Sequence, residues 1–201
     1  MQILRRLALL TGLLYSANAY ANKTVVVSSP DHQIKFLLSA DNDGLYYQVF
    51  YKGVLMVDHS NLNLVFKEGG PFNRDLALRP AEPERLTEDY NLLIGKTSKV
   101  HSESNRVLVP VFEKTGLKRQ VDIEIRVFND GAAFRYVIPG QKQWTDKVNI
   151  TDELDGFNLT QNPRATVMYR VNYTTSHEGL YTKIALDQLK AGMSINVSAL
   201  S

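Results

Sequence analysis

The sequence predicts an all-β fold, an antiparallel β-sandwich with little helix. Short runs of alternating apolar and polar residues recur from residue 24 onward, and this period of two indicates half-buried strands. Asp, Asn, Gly and Pro separate these runs at short intervals, as expected of tight turns. Only residues 185–191 have a weak helical pattern. Many short strands with few helices are typical of a sandwich.

The strands follow one another along the chain, each ended by a turn signal. Asp-Gly at residues 43–44 and Lys-Gly at 52–53 favour tight hairpins, because glycine accepts positive φ. The clearest hairpin is 121–138, where apolar and charged residues alternate up to the turn Asn129-Asp130-Gly131. Strands are predicted at 25–28, 34–40, 45–51, 54–58, 62–66, 91–95, 106–113, 121–138 (as the hairpin), 148–151, 156–159, 166–171 and 180–184.

Residues 67–90 have a different character, with Gly69-Gly70-Pro71, Pro80 and Pro83 among many charges. We interpret them as a long surface loop with room for one helical turn, which is unusual in a compact domain and often functional.

The N-terminal residues 1–21 have the pattern of a signal peptide. Arg5 and Arg6 precede a short apolar stretch, and two Ala-x-Ala patterns follow at 17–19 and 19–21. The alternative is an N-terminal membrane anchor, but the apolar run is far shorter than the roughly 20 residues of a spanning helix. The chain is therefore predicted to be exported to the periplasm as one β-sandwich domain, residues 22–201, with no membrane association after cleavage.

The charge balance and the composition exclude several classes of function. The whole chain has 23 Lys+Arg and 21 Asp+Glu, and removal of Arg5 and Arg6 leaves equal numbers. A neutral chain disfavours nucleic-acid binding and attachment to anionic lipid. The absence of cysteine excludes disulfides, thiolate metal sites and a cysteine nucleophile. His32, His59 and His101 are too widely spaced for a paired metal motif.

Two groups of residues are candidates for ligand contact. Glu178, with His177, lies in a polar connection before Gly179, where it could donate one oxygen to a hard cation such as calcium or simply be solvated. One carboxylate cannot perform glycoside hydrolysis alone. Several aromatic residues could stack on sugar rings or pack within the sandwich: Tyr46, Tyr47, Tyr51, Trp144, Tyr169, Tyr173 and Tyr181.

Several stretches, in order, resemble the N-terminal domain of glycoside hydrolase family 97, the bacterial α-glucosidase and α-galactosidase group. The most specific one runs from Ile123 to Tyr136 (IEIRVFNDGAAFRY). The others are Ser29-Pro30-Asp31 with Ile34, 43–47 (DGLYY), Gly95-Lys96 with Ser98 and Val100, 152–154 (DEL) with 157–159 (FNL), and 177–181 (HEGLY).

The resemblance implies a galactose-mutarotase-like β-super-sandwich packed against a catalytic (β/α)₈ barrel. It implies that Glu178 is a ligand of a calcium ion shared with the barrel, and that His177 lines the pocket for an α-linked oligosaccharide. The sequence ends at Ser201 without a barrel. We therefore expect a domain incomplete at its C-terminus, a chain inactive by itself, and only weak calcium binding from one glutamate.

Two other functions remain open at this stage. One is a stand-alone periplasmic carbohydrate-binding sandwich, which predicts aromatic residues arrayed on one exposed face. The other is a structural or interaction module of the cell envelope without sugar contact.

Overall fold

A computed structural model describes residues 24–142, 144, 147–170, 179–189 and 194–200. Within these ranges the chain forms strands and a single 3₁₀ turn, Leu186–Gln188. No helix there has the length and apolarity that crossing a membrane requires. The all-β prediction is confirmed.

The strands are β1 Thr24–Ser28, β2 Ile34–Ala40, β3 Leu45–Tyr51, β4 Val54–Leu62, β5 Leu64–Phe66, β6 Gly70–Pro71, β7 Leu76–Leu78, β8 Glu84–Asn91, β9 Lys99–Glu113, β10 Gln120–Phe128, β11 Ala132–Val137, β12 Ile150–Glu153, β13 Asn158–Leu159, β14 Arg164–Arg170, β15 Thr182–Ala185 and β16 Ser194–Leu200.

Antiparallel pairing arranges these strands into four sheets. The first sheet has the order β1-β2-β3-β4-β13, and the second has the order β11-β10-β9-β7, with β8 also paired to β9. Two three-stranded sheets follow, β12-β5-β6 and β15-β14-β16. The long strand β9 pairs with β10 along one edge, and with β7 and β8 at opposite ends of its other edge.

The core lies between the first and second sheets. Val27 and Leu38 of the first sheet and Val109 and Ile123 of the second are fully buried members of one hydrophobic cluster. Along each of these strands, every second residue faces the core, and this explains the alternating sequence pattern. Burial of each such side chain stabilises the fold by about 1.5–3 kcal/mol.

The predicted tight turns form as expected. Lys52 and Gly53 have φ values of 50° and 80° between β3 and β4, which is the two-residue geometry that matches strand twist. The turn after β2 closes through the Asp41 side chain, whose Oδ1 accepts hydrogen bonds from the amides of Asp43 and Gly44. Side-chain capping of this kind is why Asp opens turns.

The interpretation of residues 67–90 as a surface loop is wrong. This stretch contains β6, β7 and β8. The short strand β7 is buried, whereas β8 is mostly exposed and charged. Strand β8 is formed by its hydrogen-bond ladder with β9 and not by a buried face, so it leaves no apolar alternation in the sequence.

The prediction of a strand at 91–95 is also wrong for most of its length. Asn91 ends β8, and residues 92–98 form the tip of the hairpin between β8 and β9, closed by a hydrogen bond from Leu92 N to Ser98 O. We call residues 84–103 the β8–β9 arm and residues 92–98 its tip. β10 pairs with β9 only as far as Ser104, so among the described strands residues 99–103 pair with β8 alone.

Candidate functional site

His177 and Glu178, the residues predicted to contact sugar and calcium, lie outside the described residues. The next residue, Gly179, lies against β14: a β-carbon at this position would be 3.2 Å from both Cγ and Sδ of Met168. Met168 is buried, and Leu180 is 92% exposed. The described end of this motif is therefore packed against β14 at Gly179 and exposed at Leu180.

The aromatic residues singled out in the sequence do not share one face. Tyr47 is buried and stacks on Phe36 with ring centroids 5.3 Å apart, and Trp144 stacks on Phe66. Tyr46 stacks on His59 at 4.0 Å. The others are more exposed or undescribed: Tyr51, Tyr169 and Tyr181 are exposed, and Tyr173 lies outside the described residues.

A hydrogen-bonded cluster centred on Asp155 was not anticipated from the sequence. Asp155 Oδ1 accepts a hydrogen bond of 2.5 Å from the Tyr136 hydroxyl and one of 3.0 Å from the Asn63 backbone amide. These groups come from β11, from the link between β4 and β5, and from the segment between β12 and β13. The cluster therefore joins three distant parts of the chain.

Main-chain contacts fasten residues 154–158 to the end of β4. Gly156 N donates to Asn61 O at 2.8 Å, and Gly156 O accepts from the Tyr47 hydroxyl at 2.9 Å. A β-carbon at residue 156 would lie 2.5 Å from Asn61 Oδ1. A larger residue here would require the Asn61 side chain to move, and the glycine was the available sequence signal for the contact.

Ionisation in this cluster follows from burial and from a pair of carboxyl groups. Burial, and then the hydrogen bond to Asp155, raises the pKa of Tyr136 far above its ordinary value, so the phenol stays a donor. Interaction with the neighbouring carboxyl of Asp155 raises the pKa of Glu153.

The cluster positions the backbone and does not have the arrangement of a glycosidase centre. Glycoside hydrolysis uses two carboxyl groups separated by roughly 5–9.5 Å, one of them an acid, whereas the Asp155 carboxylate here accepts hydrogen bonds from Tyr136 and Asn63. Asp155 Oδ2 and Asn63 Oδ1 are buried without a hydrogen-bond partner. In the described part of the chain, no group of three or more His, Asp or Glu side chains is arranged to hold a metal ion.

A second polar cluster lies on the outer face of the second sheet. Glu124 is only 6% exposed although it points away from the core, because its carboxylate accepts hydrogen bonds of 2.7 Å from both Arg106 and Arg135. Burial raises the pKa of Glu124, but the bonds and charges of the two arginines outweigh it and leave the pKa below its ordinary value. The alternating sequence pattern correctly placed Glu124 on the outer face of β10, but it did not reveal that Arg106 and Arg135 cover this residue.

Comparison with known proteins identifies the family. Residues 27–200 match the family model for the glycosyl-hydrolase 97 N-terminal region. Among solved structures, the chain is similar to a glycoside hydrolase family 97 enzyme from Pseudoalteromonas sp. strain K8 in complexes with panose and with acarbose, each at 21% identity and a TM-score of 0.71. It is also similar to a beta-arabinopyranosidase, at 22% identity and a TM-score of 0.70.

These solved proteins are much longer than the present chain. The match covers 87% of this chain and 27% of the Pseudoalteromonas enzyme, and 79% of this chain and 26% of the beta-arabinopyranosidase. At this identity the structures establish the shared fold, while the family model, which spans most of the sequence, establishes membership. The chain belongs to glycoside hydrolase family 97 and corresponds to the N-terminal region of that family.

Proposed function

We propose that the chain is the non-catalytic N-terminal β-sandwich of an exported family 97 enzyme that hydrolyses α-glucosides or α-galactosides. The observation that carries the proposal is the family match over residues 27–200. The Pseudoalteromonas enzyme, whose complexes contain panose and acarbose, supports an oligosaccharide as the substrate class. The matched region is about a quarter of that enzyme, which supports a separate catalytic barrel as the partner of this domain.

In this proposal the segment around Gly179 meets the barrel. Glu178 donates one carboxylate to a calcium ion completed by barrel carboxylates, and His177 lines the sugar pocket. Calcium takes 6–8 oxygen ligands, so one glutamate leaves most of the shell to other groups. The exposed Leu180 and Tyr181, at 92% and 55% exposure, support an interface at this position.

Hydrolysis of p-nitrophenyl α-glucoside and α-galactoside tests the proposal. We expect no turnover above background by this chain alone, and turnover by the full coding sequence with an in-frame barrel. Glu178→Gln in the complete enzyme should lower activity at least about tenfold at limiting calcium, with partial recovery as calcium is raised.

Glu82→Gln serves as the matched control, because Glu82 is an exposed glutamate outside the site and its substitution should leave the calcium dependence unchanged. A coding sequence without a barrel, or a complete enzyme inactive on both substrates, would contradict the proposal. Equal effects of the two substitutions would contradict the role assigned to Glu178.

A further inference from the structure

Two buried side-chain oxygens in the Asp155 cluster have no hydrogen-bond donor. They are Oδ2 of Asp155 and Oδ1 of Asn63, and within the described ranges no other buried side-chain nitrogen or oxygen lacks a partner. Asn63 is only 8% exposed. Buried polar atoms of folded proteins are nearly always paired, so two unpaired acceptors on neighbouring residues need a specific explanation.

Both oxygens belong to one hydrogen-bonded pair of residues. The backbone amide of Asn63 donates to Asp155 Oδ1 at 3.0 Å, and the Tyr136 hydroxyl donates to the same oxygen at 2.5 Å. These two donors use one oxygen of the carboxylate and leave Oδ2 without one. The carbonyl of Asn63 in turn accepts from the Leu154 amide at 2.8 Å, so residue 63 is held against the segment that carries Asp155.

Glu153 brings a second carboxyl group to this cluster. It ends β12, two residues before Asp155, and interaction with the Asp155 carboxyl raises the pKa of Glu153. The two groups are therefore close enough to repel each other when both are charged. No ion pair among the described residues includes either carboxylate, so no Lys or Arg side chain offsets their charge.

The free oxygens of this cluster suit a hard cation. One bridging water could donate to both unpaired oxygens, but it would not offset the charge of two neighbouring carboxylates. Carboxylate and amide oxygens are ligands of calcium, which accepts irregular geometry and completes its shell with water, whereas magnesium demands a near-ideal octahedron. The third oxygen comes from an amide, so the set is not a group of three acidic side chains.

We propose that Asp155, Glu153 and Asn63 form a calcium site of this domain, with Asp155 Oδ2, the Glu153 carboxylate and Asn63 Oδ1 as ligands and water completing the shell. This site is separate from Glu178 and does not rest on the proposed function. A bound ion connects the link between β4 and β5 to the segment after β12. With three protein ligands, we expect the affinity of weak extracellular calcium modules, about 0.1–1 mM.

Amide NMR titration of the chain with calcium chloride tests the proposal. The titrated chain carries Glu178→Gln, so that calcium at that residue does not contribute. We expect saturable shifts at the amides of Asn63, Leu154 and Gly156, with half-saturation at about 0.1–1 mM, and a melting temperature that rises with calcium. Magnesium chloride at the same ionic strength is the ion control and should bind at least about tenfold more weakly.

Three substitutions separate a specific site from general acidity. Asp155→Asn keeps an acceptor for Tyr136 but replaces the unpaired oxygen with an amide donor, so it should abolish the saturable shifts. Glu153→Gln, at an exposed position, should weaken calcium binding at least about tenfold. Asp152→Asn is the matched control: this adjacent acid is also exposed and lies on the other face of β12, because side chains alternate along a strand. It should bind calcium as the parent chain does.

Several results would overturn the proposal. These are an absence of saturable shifts up to about 10 mM calcium, well beyond the weakest affinity expected, shifts confined to other residues, or equal binding of magnesium. Equal losses in Asp152→Asn and Glu153→Gln also count against it. A crystal structure grown with calcium should show an ion about 2.3–2.6 Å from the three oxygens, and a lone bridging water there would contradict the site. An inactive complete enzyme contradicts only the proposed function.

Discussion

Arg119 shows how one buried cation holds the short strand β6 in this sandwich. Its side chain is 2% exposed and pairs with Glu113 at 2.5 Å, while Nη1 and Nη2 donate to the carbonyls of Gly70 and Pro71, each at 3.0 Å. The rings of Phe66 and Phe72 lie 5.2 and 5.7 Å from the guanidinium. All these partners satisfy the donors of a charge that would otherwise be costly to bury.

Arg119→Met should therefore lower the free energy of unfolding by about 3–5 kcal/mol, because it leaves the largely buried carboxylate of Glu113 without its cation and with only the backbone amide of residue 119 as a donor. Urea denaturation measures the change. The double variant Arg119→Met/Glu113→Leu should recover most of the loss, since it removes the orphaned charge as well. A single-variant loss below about 1 kcal/mol would show that the pair is solvated.

Glu124 gives the molecule a predictable response to acid. Its pKa in the folded chain lies below the ordinary value of 4.5 because of Arg135 and Arg106. A lowered pKa contributes stability that is fully present above the ordinary value and is lost as the pH falls through the folded value. The charged carboxylate therefore stabilises the fold at neutral pH and stops doing so in strong acid.

Comparison of Glu124→Gln with the wild type checks this sign. At pH 7 we expect the variant to be less stable by about 1.5–3 kcal/mol, the contribution of a hydrogen bond to a charged group. The difference should shrink as the pH is lowered below 4.5, the ordinary pKa of this carboxyl. A difference that is the same at pH 7 and in acid would mean that the ionisation of Glu124 is uncoupled from folding.

At the scale of elements, the β8–β9 arm is the part of the fold that sequence patterns describe least well. Its tip is apolar and exposed: Leu93 is 101% and Ile94 is 89% exposed. An apolar triplet in a sequence is normally evidence for burial. Here the ladder with β9 places the triplet at the end of a two-stranded projection, so the local pattern and the tertiary position disagree.

The exposure of this tip makes a direct prediction about stability. The double substitution Leu93→Ser/Ile94→Ser should change the free energy of unfolding by no more than about 0.5 kcal/mol, because these side chains bury no area in the chain. Leu38→Ala, at a fully buried position, should cost about 2–5 kcal/mol. Thermal and urea unfolding of the two variants checks the contrast, and a large loss for the tip variant would contradict the exposed tip.

At the same scale, the elements predicted best are those with one buried face. The hairpin of β10 and β11, the strands β1 to β3 and the turn at Lys52-Gly53 follow the sequence pattern closely. In these elements a period of two defines the strands, and at Lys52-Gly53 a glycine with positive φ defines the turn. Strands β7 and β8 depend on pairing with β9, and local patterns do not report on such a partner.

For the whole molecule, some candidate site residues were suggested by the sequence and others are visible only in the structure. His177 and Glu178 stay predictions based on resemblance. The Asp155 cluster could not be predicted, because its residues come from segments many positions apart: Tyr136 is 19 residues from Asp155, and Asn63 is 92 residues from it. Hydrogen bonds across such separations form when the sheets pack together. They leave no periodic pattern in the local sequence from which they could be predicted.

The sequence alone determined the fold class and the family, because alternating patterns and ordered motifs are local properties that survive without knowledge of contacts. It also indicated which residues of β10 face the core. Only the tertiary structure decided that Glu124 is covered by arginines, that the arm projects with an apolar tip, and that Asp155 lies beside Asn63. Those features depend on which strands pair with each other. Strand pairing is determined by burial of the whole core and not by the sequence of any single segment.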